Sequence, residues 1–117
     1  MTIIENPLFL IPVMTGLIFV IAGFVMLKFP PKEINGLYGY RTKSSMKNQE
    51  RWDFAQNYSA KEMVKLGLVL TLTGLFGFLF EPQEMLGMII GLALMFLMMI
   101  LLIIRVESAI KKTFKEK

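Results

Sequence analysis

Three stretches of the chain are almost entirely apolar, and the polar residues lie between them and at the ends. The first and third stretches, residues 8–27 and 85–104, are each 20 residues long and contain no charged side chain. The second, residues 64–80, contains one, Lys65. A helix needs about 20 apolar residues to cross a bilayer. A helix that is apolar on all sides is not stable when exposed to water and is buried in a protein core or in a membrane. The pattern predicts an all-α membrane protein with three transmembrane helices.

The whole chain, residues 1–117, is expected to form one domain, because its length is ordinary for a single domain. We interpret its first apolar stretch as a retained membrane span. Glu5 precedes that stretch, no Lys or Arg does, and no small-residue cleavage site follows it. These features differ from those of a cleaved signal peptide.

The basic residues are distributed on one side of the predicted spans. Of the 13 Lys and Arg residues, eight lie within residues 28–65 and five within residues 105–117, whereas the N-terminal segment and the turn at 81–84 contain none. Loops rich in Lys and Arg stay on the cytoplasmic side of a membrane. We therefore predict an outer N-terminus, a cytoplasmic loop over residues 28–63, and a C-terminus in the cytoplasm.

The charge and the composition indicate which partners, metals and cofactors the chain is expected to bind. The net charge is +4, and the predicted topology accounts for this excess of Lys and Arg, with attraction to anionic lipids in addition. Membrane lipids are thus expected partners and nucleic acid is not. The chain contains no His and no Cys, so we expect no metal site and no cofactor. The first and third spans lack internal charged side chains, which disfavours an ion channel or pump.

Small residues recur within each apolar stretch at spacings that allow helices to approach closely in lipid. Packing within one chain and pairing of two chains into a homo-oligomer both fit this spacing. Gly16 and Gly23 have it in the first stretch, and the candidate packing residues of the other two are Gly67, Gly74, Gly87 and Gly91.

The segment between the first two spans contains every Tyr and the only Trp. It is much longer than an ordinary helix–helix connection of about 2–8 residues. Residues 34–45 are rich in turn-forming residues. Asn48 is a favourable N-cap, and helical spacing from about Gln49 predicts a short amphipathic helix. This helix either lies in the membrane interface or continues directly into the second span.

Two interpretations fit the aromatic and polar residues of this segment. Tyr and Trp are common at the level of the lipid headgroups, but Arg41 and several amides and hydroxyls lie among them. Arg41 could pair with Glu50 or Asp53, or bind a phosphate or carboxylate, and the backbone of the glycines could add N–H donors. The candidate binding residues are Asn35, Gly36, Tyr38, Gly39, Tyr40, Arg41, Thr42, Ser45, Asn48, Trp52 and Asn57.

The same segment resembles the signature of the SdpI family of small bacterial membrane proteins. The similarity rests on residues 34–42, Ser45-Met46, Asn48, Trp52 and residues 55–57, and the three predicted helices fit the family's domain. The resemblance implies a multi-pass protein of the bacterial plasma membrane. It also implies a role like that of the family's namesake, an immunity protein against a secreted, membrane-active killing-factor peptide that also recruits a soluble repressor.

Function classes other than an immunity protein stay open at this point. One is an enzyme that acts on a lipid-linked headgroup at the cytoplasmic face, with Glu33, Glu50, Asp53 or a Tyr as acid or base and Arg41 holding an anion. Another is a small structural or regulatory subunit of a membrane complex. The absence of His and Cys favours binding over catalysis.

Overall fold

A computed structural model describes residues 5–80 and 82–115 of the chain. The expectations that involve Glu81 and Lys117 lie outside these residues. The described part of the chain forms three helices: α1, Pro7–Lys28; α2, Gln49–Gly77; and α3, Glu84–Thr113. No β-strand occurs among the described residues. The irregular segment of residues 29–48, called the loop below, joins α1 to α2, and a short turn joins α2 to α3.

Asparagine side chains cap the first two helices. The Asn6 side chain accepts a hydrogen bond from the Leu8 amide, and its Nδ2 donates to the Phe80 carbonyl at 2.9 Å, which ties the start of α1 to the end of α2. Asn48 accepts from the Arg51 amide at 2.8 Å. The predicted N-cap at Asn48 is confirmed, and it satisfies an amide that would otherwise lack a partner in the first turn.

The helix that begins at Gln49 continues without interruption to Gly77. Of the two alternatives for this helix, direct continuation into the second apolar stretch is confirmed, and a separate short amphipathic helix is wrong. The physical reason is that no proline or glycine lies between residues 49 and 66 to end or kink the helix. The polar first half of α2 and its apolar second half thus form one rigid rod of 29 residues, about 44 Å long.

Glycines bring the backbones of α1 and α2 close together along their whole crossing. A Cβ on Gly67 would come 2.6 Å from the Gly16 carbonyl oxygen, and one on Gly23 would come 2.7 Å from the Ala60 carbonyl oxygen. A Cβ on Gly74 would lie 2.9 Å from the Val13 nitrogen. Since no side chain larger than hydrogen fits there, these glycines pack helices within one chain.

Helix α3 contacts the α1–α2 pair near both of its ends. At the turn end, Cβ atoms on Gly87 and Gly91 would lie 3.0 Å from the Pro7 ring and 3.1 Å from the Pro7 carbonyl oxygen, respectively. At the loop end, Val106 and Ile110 are fully buried and cluster with Ala55 of α2. Between these two contacts a groove separates α3 from α1, as described below.

Two of the helices, α1 and α3, are long and apolar enough to cross a membrane. Only 17% of the most apolar window of each is buried within the protein. Large apolar side chains such as Ile18, Ile21 and Ile89 are more than half exposed. A soluble protein would cover surfaces of this kind, so the two helices indicate a membrane protein.

Candidate functional site

Side chains of α2 bind the backbone of the loop through hydrogen bonds. Trp52 is fully buried, and its Nε1 donates to the Pro31 carbonyl at 2.7 Å. One helical turn later, Gln56 binds both polar groups of one backbone unit: its Oε1 accepts from the Tyr40 amide at 2.7 Å and its Nε2 donates to the Tyr40 carbonyl at 2.8 Å. Trp52 therefore anchors the loop inside the protein, where lipid headgroups do not reach it.

The close approach of the loop to α2 requires glycine at position 39. Gly39 has φ of +111°, a conformation that disfavours residues with a Cβ. A Cβ at this position would also lie 2.5 Å from Gln56 Oε1 and 2.8 Å from the Pro31 ring. Gly36, by contrast, is exposed, and a Cβ there would meet open space.

Two turns give the loop its shape. In the first, Asn35 Oδ1 accepts from the amides of Leu37 and Tyr38, and the Tyr38 hydroxyl donates to the Phe29 carbonyl at 2.6 Å. In the second, Thr42 and Ser45 exchange hydrogen bonds between their hydroxyls and amides. Ser45 is fully buried, whereas Thr42 also reaches α3.

Glu107 of α3 connects the loop to the third helix. Its Oε2 accepts from the Tyr40 hydroxyl at 2.8 Å and from the Thr42 hydroxyl at 3.0 Å. Burial and the neighbouring Glu107 carboxylate raise the pKa of Tyr40 above its usual value, so this hydroxyl keeps its proton. Gln56 and Glu107 are not among the candidate binding residues predicted from the sequence. The available signals were a Gln one helical turn after Trp52, and the only acidic residue within residues 85–115.

Arg41 lies at the surface and lines the groove described below. Its guanidinium donates to the Gly36 carbonyl rather than pairing with Glu50 or Asp53 in the described part of the chain. Asp53 instead accepts from the Gln49 side chain at 2.7 Å. The Arg41 side chain is thus exposed, and its hydrogen bond to the Gly36 carbonyl restricts its position.

Asn57 lies apart from the other candidates of the loop. It is exposed on α2 and lines a cavity of about 650 Å³ beside the end of α1, together with Asp53 and Lys61. Among the described residues, no group of three or more Asp and Glu side chains is close enough to hold a metal ion.

An ion pair joins α2 to α3 below the loop. Arg105 donates from Nη2 and Nε to the two carboxylate oxygens of Glu62, at 3.0 and 3.2 Å. Glu62 is buried, whereas half of the Arg105 side chain is exposed. The hydrogen bonds from Arg105 lower the pKa of Glu62 below its usual value although burial opposes this. Burial, followed by the Glu62 charge, raises the pKa of the nearby Tyr58.

A large apolar recess, the groove, lies between α1 and α3, and the loop closes it at one end. Its volume is about 680 Å³, and residues 38–42 form its polar end, including the exposed Arg41. The groove therefore combines long apolar walls with one cation and several hydroxyls. The wall residues are Phe19, Ala22, Val25 and Met26 of α1, Met63 of α2, and Met99, Leu102 and Ile103 of α3.

Comparison with known proteins gives two matches. The model of the SdpI/YfhL protein family matches residues 32–106, a range that covers most of the loop, all of α2 and most of α3. An uncharacterized protein of Bacillus subtilis (strain 168), YfhL, is 48% identical over 66 residues, which represent 53% of this chain and 60% of YfhL. The match thus spans less than two thirds of that relative. No solved structure matches the chain.

Proposed function

Because the chain belongs to the SdpI/YfhL protein family, we propose that it is an immunity-type protein that protects a bacterial cell from a secreted, membrane-active peptide. The single structural observation that supports this function best is the groove between α1 and α3. Its apolar walls suit an apolar peptide segment that is already dissolved in the bilayer, and Arg41 at its polar end suits an acidic or carboxylate group of that peptide.

The proposal includes a third membrane span in the second half of α2. Leu68, Leu72 and Phe76 in this half are each about half exposed or more, and they point away from the other helices. Their exposure is unfavourable in water and favourable in lipid. The polar half of α2, residues 49–63, would then project from the membrane together with the loop.

The basic residues support an orientation, because all of them lie in the loop, at its flanks, in α2 up to Lys65 and beyond residue 104. These parts meet at the loop end of the fold, since Tyr40 and Thr42 bind Glu107 there. The loop end would face the cytoplasm and the turn between α2 and α3 would face outward. The groove would then open sideways into the cytoplasmic half of the bilayer.

Expression in a sensitive bacterial host tests the function. Cells that carry the chain are challenged with the killing-factor peptide against which the family's namesake protects, next to cells that carry the empty vector. We expect the chain to raise the concentration of peptide that kills half of the cells. Equal killing of both strains, with the protein detected in the membrane fraction, would contradict an immunity function against this peptide.

A further inference from the structure

The groove between α1 and α3 is closed at its loop end and open along its side. Residues 38–42 of the loop form the closed end, and the apolar wall on α1 runs from Phe19 to Met26, about 10 Å along the helix. A peptide that lies along these walls meets the loop and cannot continue past it in the same direction. The closed end therefore fits the end of a peptide better than a position in the middle of one.

Arg41 is the only charged side chain among the described residues that line the groove. Its guanidinium donates to the Gly36 carbonyl, which engages one of the five N–H groups of an arginine side chain. The side chain is exposed, and the remaining N–H groups are open to a ligand. Of the two ends of a peptide, the C-terminal carboxylate has the opposite charge to Arg41, whereas the N-terminal ammonium has the same charge.

The other polar groups at the closed end are engaged hydroxyls and open amides. The hydroxyls of Tyr40 and Thr42 donate to Glu107, so they offer a ligand no proton. Glu107 itself lines other recesses and does not line the groove. The backbone amides of Gly39 and Arg41 donate to no group in the described part of the chain. They add two donors to those of the guanidinium.

The polarity of a peptide dissolved in lipid favours the same end. Such a peptide satisfies its backbone hydrogen bonds by forming a helix. The last four carbonyls of a helix lack partners within it, and the helix dipole makes this end negative. A C-terminal end thus needs donors, which the guanidinium and the two amides supply. An N-terminal end is stabilised by a negative charge, and no carboxylate is among the described residues that line the groove.

We propose that the groove binds the C-terminal segment of the membrane-active peptide, with the terminal carboxylate on Arg41. This proposal rests on the proposed function and names the part of the peptide that is bound. The apolar wall of about 10 Å corresponds to about two helical turns, so the side chains on one face of the last two turns lie along it. The ligand is thus an apolar helix that ends in a free carboxylate.

Lys43 provides a matched control for Arg41. It lies two residues further along the loop, has the same charge and is exposed, but it lines another recess and not the groove. General attraction of a negatively charged peptide to the basic loop end depends on both residues alike. Recognition of the carboxylate within the groove depends on Arg41 alone.

The test uses the purified full chain in phosphatidylcholine nanodiscs and the synthetic killing-factor peptide in two forms, with a free C-terminal carboxylate and with a C-terminal amide. Surface plasmon resonance measures binding, with empty nanodiscs as the reference. We expect the free acid to bind the unchanged chain about tenfold more tightly than the amide. Arg41→Gln should reduce this ratio to about one, and Lys43→Gln should leave it at about tenfold. An unchanged affinity of Arg41→Gln for the amide verifies that this variant is folded.

Each contrary outcome has a defined meaning. Equal affinities of the two forms for the unchanged chain would overturn the proposal, and they would fit a lipid phosphate as the anion at Arg41. A preference for the free acid that persists in Arg41→Gln would also overturn it, because another group would then bind the carboxylate. In both cases the immunity function stands, since the peptide is still bound. If neither form binds, the proposal is overturned, and a lack of protection in the challenge with this peptide would show that the function fails with it.

Discussion

Several polar side chains of the loop and of α2 next to it serve to fold the loop. Trp52 binds the Pro31 carbonyl, Gln56 binds both polar groups of Tyr40, and Ser45 is fully buried within a turn. Buried groups of this kind are costly to leave without partners. Substitutions at these positions should therefore destabilise the loop first and affect binding through that loss of order.

Two glycines of the loop provide a direct test at the residue scale. Gly39→Ala should lower the free energy of unfolding by about 1–3 kcal/mol, because position 39 has a positive φ and a Cβ there meets Gln56 and Pro31. Gly36→Ala is the matched control, since its Cβ meets nothing within 4 Å. Thermal unfolding in detergent micelles measures both. Equal unfolding midpoints of the two variants would contradict the close packing of the loop on α2.

The loop also shows what sequence could and could not predict at this scale. The turns around Asn35 and Gly39 and the cap at Asn48 follow from local preferences, and the structure has them. The burial of Trp52 was not predictable from the sequence. An aromatic residue at the lipid headgroups and an aromatic residue buried against a loop occur in segments of the same composition. Glu107 could not be predicted as a site residue, because its hydrogen-bond partners lie 65 and 67 residues earlier in the chain.

At the scale of the helices, apolar length was the strongest signal. Predicted spans over residues 8–27 and 85–104 correspond to α1 and α3, although α3 continues to Thr113. The continuity of α2 was harder to predict because its composition changes midway from polar to apolar. Composition marks where a membrane would begin, whereas a helix ends only where its hydrogen bonding is interrupted.

The ion pair between Glu62 and Arg105 makes the α2–α3 contact dependent on pH. Glu62→Gln should lower the free energy of unfolding at neutral pH by about 1 kcal/mol, a modest value because Arg105 is half exposed. The pKa of Glu62 is lowered in the folded protein. The stabilisation by the ionised Glu62 carboxylate is thus complete above pH 4.5, the ordinary pKa of Glu. It is lost as the pH falls through the lowered pKa of Glu62 in the folded protein.

Unfolding midpoints at several pH values check this prediction. The difference between the unchanged chain and Glu62→Gln should be largest near pH 7 and should shrink below about pH 4.5, the ordinary value for Glu. Glu50→Gln serves as the control, since Glu50 is exposed in the first turn of α2. A difference that stays constant with pH would show that the ion pair does not contribute in the way described.

For the whole molecule, labelling of introduced cysteines tests the proposed topology. The chain contains no cysteine of its own, so only the introduced thiol can react. A cysteine introduced by Lys47→Cys should react with a membrane-impermeant thiol reagent only after the cells are opened. One introduced by Gln83→Cys should react on intact cells. The opposite pattern would reverse the orientation, and reaction of both on intact cells would contradict three spans.

The groove emerges only at the level of the whole fold. Its walls come from α1, α2 and α3 and its polar end from the loop, so no single stretch of sequence contains it. Helix α3 meets α1 through Gly87 and Gly91 at the turn end and meets α2 through Val106 and Ile110 at the loop end. The recess between these two contacts is where the proposed immunity function has its site.

Protection from the killing-factor peptide by two neighbouring variants of α1 tests this central claim most directly. Ala22 lines the groove, whereas Ile21 is 62% exposed on the outer surface of α1. With equal amounts of each protein in the membrane, Ala22→Phe should fill the groove and reduce the protective shift at least tenfold. Ile21→Phe should protect as well as the unchanged chain. Full protection by Ala22→Phe would contradict the groove as the site of peptide binding.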